Sequence, residues 1–286
     1  MLKKLLKYEW KDTSRLLLPI NLAIILITLI GCAMLSTSIF DSDMGFLLAA
    51  PLLVLYVLSI ITFSCTTLVY LYVRFYKNLY TAEGYLMHTL PVTPAQLFHS
   101  KLIVGYFWFF LNSLLTTLST SALGAALGIH EAAADVPGDM QDSFLDSFLL
   151  ASGQNPETFS FADLFGYPLP VFLLLLLAML LISSFSSVMM GYVSVLLGQR
   201  MERNKLAASV AIYFGIYMAI QIITSLSIII PEIANMGKYL DEDLSASFLA
   251  ESFRLLFPSM LISYLVLNII FYAACRFLIK SKVNLD

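Results

Sequence analysis

Charge is the scarcest property of this chain. Of its 286 residues only 12% are Asp, Glu, Lys or Arg, and 59% are hydrophobic. Soluble domains carry roughly 25% charged residues, so a water-soluble enzyme and a disordered chain are both excluded. Cysteine is scarce as well. Three scattered cysteines (Cys32, Cys65, Cys275) build no disulfide framework and offer no metal-ligand spacing, so no metal site is assigned. Positive charge does not dominate. The net charge is −3, and the concentrated basic surface of a nucleic-acid binder is missing. A G-x-x-x-x-G-K-[ST] loop is absent, so the chain does not cradle ATP in the usual way, and the metalloprotease pattern HExxH is absent too. His88, His99 and His130 form no evident set with a buried acid, and no catalytic residue is assigned.

What the chain does have is long stretches without charge. Six of them stand out: Leu16–Phe40, Met44–Val73, Leu102–His130, Leu164–Gln199, Leu206–Pro231 and Leu255–Cys275, the shortest being 21 residues. A helix needs about 20 apolar residues to cross a hydrocarbon layer of roughly 30 Å. The next gap, Gly84–Ser100, is 17 residues long and holds two prolines and two histidines, so it fails. The chain therefore reads as an all-α membrane protein of one transmembrane domain, 1–286, with six transmembrane helices at about 16–38, 46–73, 101–127, 169–198, 206–230 and 258–279. Lipid bilayer is its surroundings.

Lys and Arg set the orientation of such a bundle. Fourteen of the 16 fall on one side: Lys3, Lys4, Lys7, Lys11 and Arg15 at the N-terminus, Arg74, Lys77 and Lys101 in the second connection, Arg200, Arg203 and Lys205 in the fourth, and Arg276, Lys280 and Lys282 at the C-terminal end. Only Lys238 and Arg254 fall on the other side. This predicts a plasma-membrane protein with both termini cytoplasmic.

Residues 1–15 read as an amphipathic elbow helix. Leu2, Leu5, Leu6 and Trp10 share one arc and the lysines the opposite one, which suits a helix lying in the membrane interface. Glu9 interrupts the apolar arc. A simple orientation signal is the alternative.

The connection 74–100 is the most informative stretch. Thr93 suits an N-cap, Pro94 the first helical position, and Gln96 completes a capping box, so the third span has a sharp start. Pro91 breaks the chain upstream. A short helical piece near Thr81–Leu90 remains, with Tyr80, Tyr85, Leu86 and Leu90 exposed, as on a surface that awaits a partner. On the other side, residues 128–168 form a connection with seven acids and no Lys or Arg. Asp139, Asp142 and Asp146 lie on one helical stripe there. Such acids either attract a cationic substrate or simply keep the connection solvated.

Within the spans the polar residues are Asn21, Asn112, Gln221, Asn268 and several Ser and Thr, which join helices by hydrogen bonds or line a path. A coupled carrier generally needs ionisable groups inside its spans, and the charge-free runs that make up the spans offer none, Lys101 and Arg276 lying at their cytoplasmic ends. The membrane body thus lacks an energy source of its own, and a docking piece stands ready on the basic side.

In this pattern the chain resembles the ABC transporter type-2 permease subunits of Gram-positive bacteria. The resemblance lies in the basic N-terminal elbow, the six spans with both ends inside, and the stretch Glu83-Gly84-Tyr85-Leu86 followed by Thr89-Leu90-Pro91-Val92 and Lys101. It implies a coupling helix at Tyr80–Leu90, with Tyr80, Glu83, Gly84, Tyr85, Leu86 and Leu90 facing a separate ATPase, and a second contact at Arg200, Glu202 and Arg203. It further implies two copies of the ATPase subunit carrying Mg-ATP, no cofactor on this chain, and a second permease chain, identical or paralogous. The activity implied is export of a peptide, antimicrobial or lipid-like substrate. The long acidic connection departs from shorter relatives. The alternative from another class is a membrane sensor or immunity protein that binds an extracellular peptide without moving it.

Overall fold

A computed structural model of the chain describes residues 2–35, 43–80, 93–133, 165–201, 204–239 and 246–280. Six α-helices occupy them: α1 (Leu2–Leu35), α2 (Asp43–Tyr80), α3 (Pro94–Ala133), α4 (Leu169–Gly198), α5 (Lys205–Tyr239) and α6 (Ala246–Lys280). Each contains a segment long and apolar enough to cross a membrane. In hydrocarbon every backbone amide needs an internal partner, and a helix supplies one. The expected six-helix, all-α class is therefore what the chain adopts.

The N-terminal stretch is the main local difference. The amphipathic residues and the first span form one helix, α1, of 34 residues, which continues through Pro19. At 1.5 Å per residue it is about 51 Å long, well beyond the hydrocarbon thickness. Its buried face runs without interruption through Glu9, Thr13, Leu17, Asn21 and Ile24, a spacing of three and four residues that holds one side of a helix. The capping box of α3 forms as its sequence indicates: Gln96 N–H donates to Thr93 Oγ1 at 3.4 Å and Thr93 N–H to Gln96 Oε1 at 3.3 Å.

α1 packs chiefly on α3, and the two run parallel. Glu9 meets Lys101 near their first turns, and Thr28 meets Ser119 some five turns on. α4 runs against α3, with Ser113 and Ser184 hydroxyls 2.8 Å apart. α6 runs alongside α4. Its Asn268 amide donates to Ile182 O at 3.1 Å, and its Arg254 Nε donates to Gly166 O at 2.8 Å. α5 is the least buried of the six spans.

The packed core sits toward the end where Lys and Arg are concentrated. Leu17, Phe75, Leu97, Val188, Met189, Tyr192 and Cys275 are almost fully buried there. Phe75 and Tyr192 stack at 3.9 Å and 10°. Toward the other end a smaller cluster of Tyr56, Ile60 and Leu123 borders a cavity of about 240 Å³.

Candidate functional site: a buried carboxylate at the basic end

Glu9 lies on the face that α1 turns toward α2 and α3, and is 6% exposed. A carboxylate taken out of water is tolerated only when paired and hydrogen-bonded. Glu9 is. Arg74 brings Nη2 and Nε to its Oε2 at 2.6 and 3.1 Å. Lys101 Nζ and Asn78 Nδ2 both donate to Oε1, the latter at 3.3 Å. Four donors on two oxygens match the roughly four acceptor positions of a carboxylate. Arg74 reaches outward as well, to Asp12 Oδ2 at 2.7 Å and Tyr70 Oη at 3.2 Å. The two cations and two carboxylates balance.

The surrounding residues hold this cluster rigid. Thr13 Oγ1 donates to Glu9 O one turn away at 2.7 Å. Tyr192 on α4 donates to Lys101 O at 3.3 Å. Gly105 lies one turn beyond Lys101, and a Cβ there would come within 2.6 Å of the Tyr192 hydroxyl oxygen. The absent side chain is what lets Tyr192 reach Lys101. A void of about 10 Å³ lies among Glu9, Thr13, Arg74, Lys101 and Tyr192, about the size one water needs.

Among the sequence-predicted contact residues, Tyr80 is half-buried at the end of α2 and packs with Tyr76 at 6.3 Å. It lies within electrostatic reach of Arg200, which follows the end of α4. Glu83, Gly84, Tyr85, Leu86, Leu90, Glu202 and Arg203 lie outside the described residues, and so do the acids Asp139, Asp142 and Asp146. Among the described residues no group of His, Cys, Asp and Glu is arranged to hold a metal.

Sequence reasoning missed the cluster itself. Glu9 read as a defect in an apolar arc, and Arg74 and Lys101 as orientation signals. The defect was the available signal, since an acid on the buried face of a helix requires cations from its neighbours.

Deeper in the bundle a second polar layer behaves differently. Asn112 is fully buried and, among the described residues, neither its Oδ1 nor its Nδ2 has a partner. Leaving such groups unsatisfied costs about 1–3 kcal/mol. Asn112→Leu, similar in volume, is expected to raise the unfolding free energy of the bundle by about 1–3 kcal/mol, read by SDS titration in mixed micelles. An unchanged or lower value would mean that the amide is satisfied in the membrane.

No protein-family model, curated protein or solved structure matches this chain.

Proposed function

We propose that the chain is the membrane-spanning permease subunit of an ATP-binding-cassette exporter, powered by a separate ATPase. The observation that carries this reading is the place of Glu9. The connection 81–92, in which the sequence puts the coupling helix, is flanked by Arg74 and Asn78 before it and Lys101 after it, and one carboxylate on α1 binds all three. A push on that connection reaches α1, α2 and α3 together, because a paired buried charge resists separation. Six apolar helices with their basic residues at one end supply the membrane body.

In this account two ATPase subunits close on ATP and displace the coupling helix, and the ion cluster passes the displacement to α1. Arg200, Glu202 and Arg203 make the second contact. A second permease chain completes the path, and the cargo is a peptide, antimicrobial or lipid-like molecule moved outward. The acidic connection makes a cationic peptide the first cargo to test.

Purification from the native membrane in mild detergent, followed by mass spectrometry of what accompanies the chain, tests the reading. The expected companion is a stoichiometric P-loop ATPase that is lost when Glu83 and Tyr85 are both replaced by alanine. A chain that emerges without any ATPase would instead favour the sensor or immunity reading.

A further inference from the structure

A cavity of about 620 Å³ opens at the basic end between the first turns of α3 and the last turns of α6, lined by Thr93, Pro94, Phe98, His99, Tyr272 and Arg276, among others. We propose that it holds the headgroup of an anionic phospholipid, whose acyl chain runs along α6. The inference is independent of how, or whether, the chain is powered.

Charge comes first. Arg276 is exposed and makes no ion pair among the described residues, where Arg74 and Lys101 take all the acidic partners seen. Among the described residues its guanidinium thus has no acidic partner, and a guanidinium fork suits phosphate oxygens. His99 is held in place by two contacts. Its Nδ1 lies 2.6 Å from Ala95 O and its Nε2 3.0 Å from the Tyr272 hydroxyl oxygen, so both ring nitrogens are engaged. The ring and Tyr272 form a fixed wall, and Arg276 is the guanidinium in the lining.

The second argument is the surface that leads away from the cavity. Ile269 and Ile262 lie seven and fourteen residues before Arg276, in the same row of α6, and both are exposed. Leu265 and Val266 beside them are exposed too, and Phe277 flanks the arginine. From Arg276 to Ile262 this apolar row is about 21 Å long, enough for the roughly 15 Å half-thickness of the hydrocarbon. A headgroup cavity lined by Arg276 thus continues into a track of acyl-chain length. Basic pockets between spans are where anionic headgroups bind.

Native mass spectrometry of the purified chain with an equal mixture of phosphatidylcholine and phosphatidylglycerol tests this. The wild-type protein should retain phosphatidylglycerol over phosphatidylcholine by about fivefold, the ratio one basic side chain at an anionic surface produces. Arg276→Gln should remove that preference and Arg276→Lys should keep most of it. Arg254→Gln, at the opposite end, should leave it unchanged. Equal retention of the two lipids by the wild type, or a preference that survives Arg276→Gln, would overturn the proposal. So would displacement of the lipid by inorganic phosphate alone, which would assign the cavity to a free anion. Arg276 is exposed and outside the core, so the variants fold and the comparison stands.

Discussion

Replacing Glu9 with alanine is expected to lower the unfolding free energy of the bundle by about 3–5 kcal/mol, the cost of leaving a buried ionic partner without its counter-charge. Lys101 loses the carboxylate paired with it, and its side chain is 4% exposed. Arg74 keeps Asp12 at the rim, which softens the loss on that side. Removing the whole cluster acts differently. Buried ion pairs replaced by apolar residues of similar volume are often neutral or stabilising, so the triple variant Glu9→Leu, Arg74→Met, Lys101→Met should recover most of the lost stability. SDS titration of the single and triple variants, followed by circular dichroism, checks both. A single variant as stable as wild type would mean that the cluster is solvated and contributes little. The triple variant also separates holding the fold from transmitting a motion, because it keeps the helices together without a rigid polar link between them.

The second large effect concerns close helix approach. A Cβ added at Gly191 on α4 would come within 2.0 Å of the Tyr72 ring, whose hydroxyl is held 2.7 Å from Ser187 O. One added at Gly198 would meet the backbone of Ser209 on α5 at 2.6 Å. Neither neighbour is the free end of a flexible chain. Gly191→Ala and Gly198→Ala are each expected to destabilise by about 1–3 kcal/mol, the range for overpacking a filled interior. Gly124 and Gly215 have nothing within 4 Å. Alanine at either should be neutral or stabilise by up to about 1 kcal/mol through helix propensity. If all four variants unfold at the same SDS fraction, the close packing of α2, α4 and α5 is wrong.

The fold was largely legible before any coordinates, and for a physical reason. Charge-free runs of more than 20 residues have few alternatives to spanning a bilayer, and such runs fix six helices in number and approximate extent. The start of α3 was legible to the residue, because Thr93, Pro94 and Gln96 state a local chemistry that needs no tertiary partner. The extent of α1 was not. A change in charge density at Arg15 reads as a boundary between an interfacial segment and a span. The backbone ignores it, since Leu5, Leu6, Glu9, Thr13 and Leu17 keep the same helical period across the junction. The ion cluster was least legible. It joins positions 9, 74, 78 and 101, and only the packing of three helices brings them together. Tyr192 and Gly105, which hold Lys101 in place, carry no sequence signal beyond being apolar neighbours in a span. The residues proposed to face an ATPase came from resemblance, and of these only Tyr80 and Arg200 lie within the described residues.

The most direct test of the account is ATP hydrolysis by the chain purified from its own membrane in mild detergent and returned to bilayer nanodiscs, with the triple variant of the cluster treated alongside. The account predicts hydrolysis that accompanies the wild-type chain, and a rate several times lower in the triple variant although the ATPase is still bound to it. A wild-type preparation that hydrolyses no ATP, or a triple variant that hydrolyses it at the wild-type rate, would contradict the claim that Glu9 links a separate motor to the membrane helices.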